Sequence, residues 1–150
     1  MTLSIQTISL KSALTIAQNT LECARSEKMQ PMTVVVLDVR GVVKAYLADD
    51  GTSLLRFDIA LGKAAGALGM GFGGRELERR AVAVPHFMGA LQAMTDGRMV
   101  PVRGGLLIRD QQGQIVGAIG VSGDTSVNDE VCAIKGIQSA GLVADHGDKE

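Results

Sequence analysis

Aromatic side chains are nearly missing from this chain: its 150 residues hold no tryptophan, one tyrosine and three phenylalanines. Its core must therefore be aliphatic, built from Val, Ile, Leu, Ala and seven methionines. Charge of one sign is missing as well. Fifteen Lys and Arg stand against sixteen Asp and Glu, and without a basic surplus no nucleic-acid partner is expected. No apolar run approaches the ~20 residues that cross a bilayer as a helix. The opening MTLSIQTISLKSALTIAQ has no basic segment ahead of an unbroken apolar stretch, so no secretory signal or membrane partner is expected, and the expected address is cytoplasmic. Cysteine and histidine are scarce. Cys23 and Cys132 fall in predicted helices far apart in sequence, which argues against a disulfide framework and reads as two reduced, buried thiols. With His86 and His146 the only imidazoles, and no Cys-x-x-Cys or His-x-x-x-His spacing, no metal site is expected. Asp49-Asp50 and Asp129-Glu130 are adequately explained by loop solvation and helix capping.

What is present is glycine, nineteen in all, together with clear periodicity. Ile8, Leu10, Leu14, Ile16, Ala17, Leu21 and Ala24 place an amphipathic helix between Thr7 and Lys28, capped by Ser9 or Thr7 and ended by Pro31. Met32–Asp38 is a β-branched run, buried on both faces as a strand. Arg40-Gly41 turns it into a partner strand over Val42–Ala48. Thr52 or Ser53 caps a second helix over 54–68, whose small residues Ala60, Gly62, Ala64, Gly66 and Ala67 require a close neighbour, either a strand or another subunit. Gly69–Gly74 formally reads G-x-G-x-x-G, but it follows a helix and lacks a βαβ frame, so it is a connector. Arg75–Ala81 is a short charged helix offering a solvated face or a subunit contact. Pro85 opens a further helix over 86–95, with Phe87, Leu91 and Met94 as its apolar face.

A second hairpin follows, Gly105–Arg109 and Gln114–Val121 around the turn Asp110–Gly113. Ser122-Gly123-Asp124 breaks the strand, and Thr125 or Ser126 caps a last helix, with Ser126 as cap placing Asp129 at the third helical position as a carboxylate capping box. Residues 1–143 read as one domain and 144–150 as a polar tail that frays. Helices segregated from hairpins predict an α+β fold with an antiparallel sheet.

The Gly104-Gly105 pair, the run Val116-Gly117-Ala118-Ile119-Gly120-Val121-Ser122-Gly123, the helix start Asp129-Glu130…Cys132-Ala133 and the upstream Asp58-Ile59-Ala60-Leu61-Gly62-Lys63-Ala64 resemble the GlcG/HbpS-like heme-binding family, which includes the carboxy-terminal domain of PduO-type proteins. The resemblance covers about residues 5 to 143. It implies a profilin-like sheet of two hairpins flanked by helices, a homo-oligomer, and heme as the candidate cofactor. Leu106 follows the glycine pair where a common family form has proline.

Candidate chemistry follows from few residues. Gly120-Val121-Ser122-Gly123-Asp124 imitates the start of a nucleophile elbow, yet neither histidine completes a triad. Under the resemblance, His86 beside Phe87 and Met88 is the best axial ligand for heme. From the residues alone, Gly104, Gly105, Ser122, Gly123 and Asp124 flank one hairpin, and their amides beside a helix N-terminus would favour a small anionic ligand such as a carboxylate or propionate, with Lys63 and Arg103 adding charge. A tight corner demanded by the fold is the competing reading. Three functions remain open: a binder of a small ligand, heme foremost; an enzyme acting on a small organic acid through Lys63, His86 or Arg103; and an accessory oligomeric protein without a ligand.

Overall fold

Both predicted hairpins form. In the computed structural model, which describes residues 6–149, Thr33–Asp38 (β1) pairs with Val43–Ala48 (β2), and Gly105–Arg109 (β3) pairs with Ile115–Ser122 (β4). β1 also pairs with β4, and a short strand, Val143–Asp145 (β5), pairs with β3. The sheet is antiparallel in the order β2-β1-β4-β3-β5. Five helices surround it: Leu10–Ser26 (α1), Arg56–Met70 (α2), Gly74–Ala83 (α3), Pro85–Met94 (α4) and Ser126–Ser139 (α5). The result is the expected α+β architecture of two hairpins and flanking helices, widened by one strand.

The period-2 rule sorts β1 between two cores. Val34 and Val36 face α1 and α5, joining Ile16, Leu21, Ile119 and Ile137. Val35 and Leu37 face α2, joining Ala60, Ala64 and Ala118. With helices on both faces every residue of β1 is buried, which is why it reads as a continuous apolar run. A third cluster, Leu77, Met88 and Met99, ties α3 and α4 together away from the sheet.

The close neighbour required by the small residues of α2 is the sheet itself. A Cβ on Gly120 would stand 1.8 Å from the carbonyl oxygen of Ala60, and one on Gly105 would stand 2.3 Å from that of Lys63. Backbone therefore lies on backbone where α2 crosses β3 and β4. α1 and α5 approach similarly, with Gly136 packed against Thr20.

Local signals were mostly honoured. Ser9 caps α1 by accepting from the Ser12 amide, and Pro85 occupies the first turn of α4. α2 differs: it begins at Arg56 without a side-chain cap, so neither Thr52 nor Ser53 serves, and it ends at Gly71, whose φ of 81° lies in the left-handed region. α5 is capped by Thr125, not Ser126. In α4 the predicted face is rotated. Met88 is buried while Phe87 and Met94 are exposed, because α4 packs on α3 and the Met99 segment instead of on the sheet.

The largest correction concerns residues 144–149, the described part of the segment read as a fraying tail. Val143–Asp145 hydrogen-bond to β3 as β5, and Arg109 ion-pairs with Asp145 at 2.8 Å. The Arg75 amide donates to the His146 carbonyl, and Asp148 pairs with Arg75 and Arg79. Main-chain pairing and two arginines hold a segment whose composition alone looks solvated. No helix among the described residues is long and apolar enough to cross a membrane.

Candidate functional site

The glycine corner is assembled from three elements. Gly104, at φ +103°, turns the chain into β3, and its carbonyl accepts from the Val121 amide across the hairpin. That conformation and the space both require glycine: a Cβ would meet the Val121 carbonyl at 2.8 Å and the Lys63 Nζ at 2.9 Å. From α2 below, Lys63 Nζ donates to the Val121 carbonyl at 2.8 Å and to Asp129 Oδ2 at 2.9 Å. Lys63 is 2% exposed and Asp129 1%. Burial pushes the lysine below its ordinary pKa and the aspartate above its own, and the ion pair opposes both shifts.

Asp129 Oδ1 accepts from the Asp124 amide, so the capping contact predicted for Asp129 forms two residues further back than a Ser126 cap would place it. Asp124 in turn accepts from the amides of Gln30 and Thr125 and from the Asn128 side chain, and the Gln30 and Thr125 bonds hold it below the usual carboxylate range. Ser122 Oγ accepts from Arg56 at 3.0 Å, and Gly123 packs on Pro31. The structure thus brings Lys63, Gly104, Gly105, Ser122, Gly123 and Asp124 to one end of the sheet. There, the chain's own carboxylates take the Asp124 and Thr125 amides and the ammonium group. Chemically this is a tie between α2, β4 and α5, with Lys63 sealed away from solvent.

Arg103 and His86 stand outside that tie. The Arg103 amide donates to Glu78 Oε2, and its guanidinium lies 3.9 Å from the same carboxylate. His86 is exposed in the first turn of α4. Sequence reasoning missed the concave site of this region. Between α2 and α4 lies a cavity of about 230 Å³ lined by Ala65, Met70, Leu91, Met94, Met99 and Arg98, among others. Its sequence signal was the concentration of methionine beside an arginine in Met94–Met99, residues that read as a helix end and an extended approach. The Arg75–Glu130 pair, at 2.6 Å with Glu130 buried, also escaped notice because its partners lie 55 positions apart.

Comparison with known proteins gives the family and the fold. The family model for the haem degrading protein HbpS-like family matches residues 8–138. Among solved structures, a PduOC:heme complex superposes with a TM-score of 0.81 at 20% identity, covering 95% of this chain and 99% of that one. Klebsiella pneumoniae protein ORFY gives 0.83 at 26% identity, with 93% and 94% covered. A double mutant of Streptomyces reticuli HbpS gives 0.77 at 25% identity, with 92% and 89% covered. No curated protein sequence matches the chain significantly. With the match running from Ile8, just ahead of α1, into α5, the chain belongs to the HbpS-like family.

Proposed function

We propose that this protein binds a small ligand, with heme the leading candidate, in the cleft between α2 and α4. The observation that carries the reading is the chemistry of that cleft: an apolar wall bearing Met70, Met94 and Met99, with Arg98 at its edge. Apolar walls suit a porphyrin face, a guanidinium suits a propionate, and thioether sulfur is an accepted axial ligand of heme iron. At about 230 Å³ the cleft is smaller than the ~300–1,000 Å³ of usual ligand pockets, so it grips an edge of the macrocycle and leaves the rest open. His86, exposed at the start of the same helix, is the second candidate ligand. Arg103, half-buried beside the glycine pair and facing Glu78, lies outside the residues that line this cleft. Bound heme would supply a redox-active iron, and Arg98 would orient it by its carboxylates. The likeness in fold to the PduOC:heme complex supports the same reading.

Hemin titration followed by absorbance tests it. A saturable Soret shift at one heme per chain is expected, altered in position by His86→Ala or Met94→Ala, whichever removes the axial ligand. Arg98→Gln is expected to weaken binding about tenfold, the equivalent of ~1.4 kcal/mol for one charge-assisted contact. A shift that never saturates would overturn the heme reading.

A further inference from the structure

The second cluster of chemistry lies on the opposite face of the sheet, where α1 meets α5. Cys23 on α1 and Cys132 on α5 place their Sγ atoms 2.7 Å apart, and the Met29 Sδ lies 3.5 Å from Cys132. Two sulfurs at that separation stand closer than unbonded sulfurs rest, and only a fraction of an ångström separates them from the ~2.05 Å of a disulfide. Both side chains project from helices that already pack tightly, at Gly136 against Thr20, so no element need swing for the bond to close. Burial pushes the Cys132 thiol well above its ordinary pKa, and the neighbouring Cys23 sulfur adds to this. Cys132 is fully buried, whereas Cys23 is 6% exposed.

We propose that Cys23 and Cys132 are a redox-active pair that closes reversibly into an intramolecular disulfide bolting α1 to α5. The oxidant is hydrogen peroxide, whose water-like size suits the narrow access to Cys23. The Cys23 thiolate attacks one peroxide oxygen, the O–O bond breaks, and the leaving hydroxide takes up a proton as water. Cys23 is then a sulfenic acid. The Cys132 sulfur attacks the Cys23 Sγ, the S–O bond breaks, and that hydroxide leaves with the Cys132 proton as a second water. The two thiols lose two electrons and two protons, and one peroxide becomes two waters. A dithiol reductant reverses the oxidation by exchange. The pair is remote in sequence, so the expectation of two reduced, buried thiols holds for burial while their meeting across α1 and α5 could not be read from it.

The test uses the full chain without added hemin, so that it stands independently of heme binding. Protein is treated with hydrogen peroxide or with dithiothreitol, denatured, alkylated and digested. Peroxide is expected to remove both alkylation sites together and to yield a linked peptide pair containing Cys23 and Cys132. The oxidised form is expected to melt several degrees higher, reverting on reduction. Cys23→Ala and Cys132→Ala should each abolish the linked peptide and the shift in melting. If one variant does not fold, the peptide map of the unmutated chain decides alone. Cysteines that stay alkylatable, a sulfinic acid at Cys23 beside a free Cys132, or links between copies only would each overturn the proposal.

Discussion

Lys63 illustrates what a single residue can and cannot declare. The sequence offers it as a cation for a small anionic ligand, but the partner that defines its role, Asp129, stands 66 positions away. Buried ion pairs contribute little relative to apolar replacements of both members, yet removing one member strands the other's charge. Lys63→Met is therefore expected to cost about 3–5 kcal/mol, read as a lower urea midpoint. Adding Asp129→Leu should recover most of that loss, less the bond from Asp129 to the Asp124 amide. A single variant as stable as the parent would show that the pair holds nothing together. The glycines were legible only as geometry. Which backbone each one admits, Ala60 at Gly120 or Lys63 at Gly105, depends on the tertiary approach of α2.

Among the elements, those carrying their own local signals were readable. The helix starts at Ser9 and Pro85, the turns at Gly41 and Gly113, and the apolar runs of the hairpin strands all act within a few residues. β5 carries no such signal, because three residues are too few for a period and its stability comes from outside: a ladder with β3 and the arginines of α3 and β3. Arg75, and Arg79 after it, hold the Asp148 carboxyl down at about 2. A carboxylate depressed in the folded state lends its stabilisation fully above the ordinary value of 3.8, and that contribution disappears as pH falls through the folded value. Hydrogen-exchange protection of Val143–Asp145, corrected for intrinsic rates, is expected to drop between about pH 4 and pH 2 ahead of the core strands. Asp148→Asn should loosen the same amides at neutral pH while changing the global melting little. Equal protection in both proteins would assign the docking to main-chain pairing alone.

On the scale of the whole molecule, the exposed apolar surface is the feature that one chain leaves unresolved. Leu54 is 92% exposed, Leu55 62% and Val82 81%, large side chains of the kind that mark a contact surface when they gather in patches. We propose that copies of this chain cover them, giving the homo-oligomer that the sequence reading anticipated. Sedimentation is expected to report a mass well above the 15.7 kDa of one chain. Leu54→Asp should shift the distribution toward monomer without altering the circular dichroism. A monomer in the parent would instead leave these side chains for a different partner. The aliphatic, ring-poor core was legible from composition. The order of the strands was not, since β1 lies beside β4 only through pairings more than 75 residues long, such as Thr33 with Ser122.

Such pairings bear on how the protein is made. Synthesis runs from the amino terminus, so β1 and β2 leave the ribosome after α1 as a two-stranded hairpin, marginal in water without further strands, and wait for β4 to supply the other side of β1. β5 is the last strand to emerge, and until it does β3 shows an open edge carrying Leu106, Leu107 and Ile108. An edge of that kind invites pairing with a neighbouring nascent chain. Pairing with β5 takes up that edge at Leu107, Ile108 and Arg109.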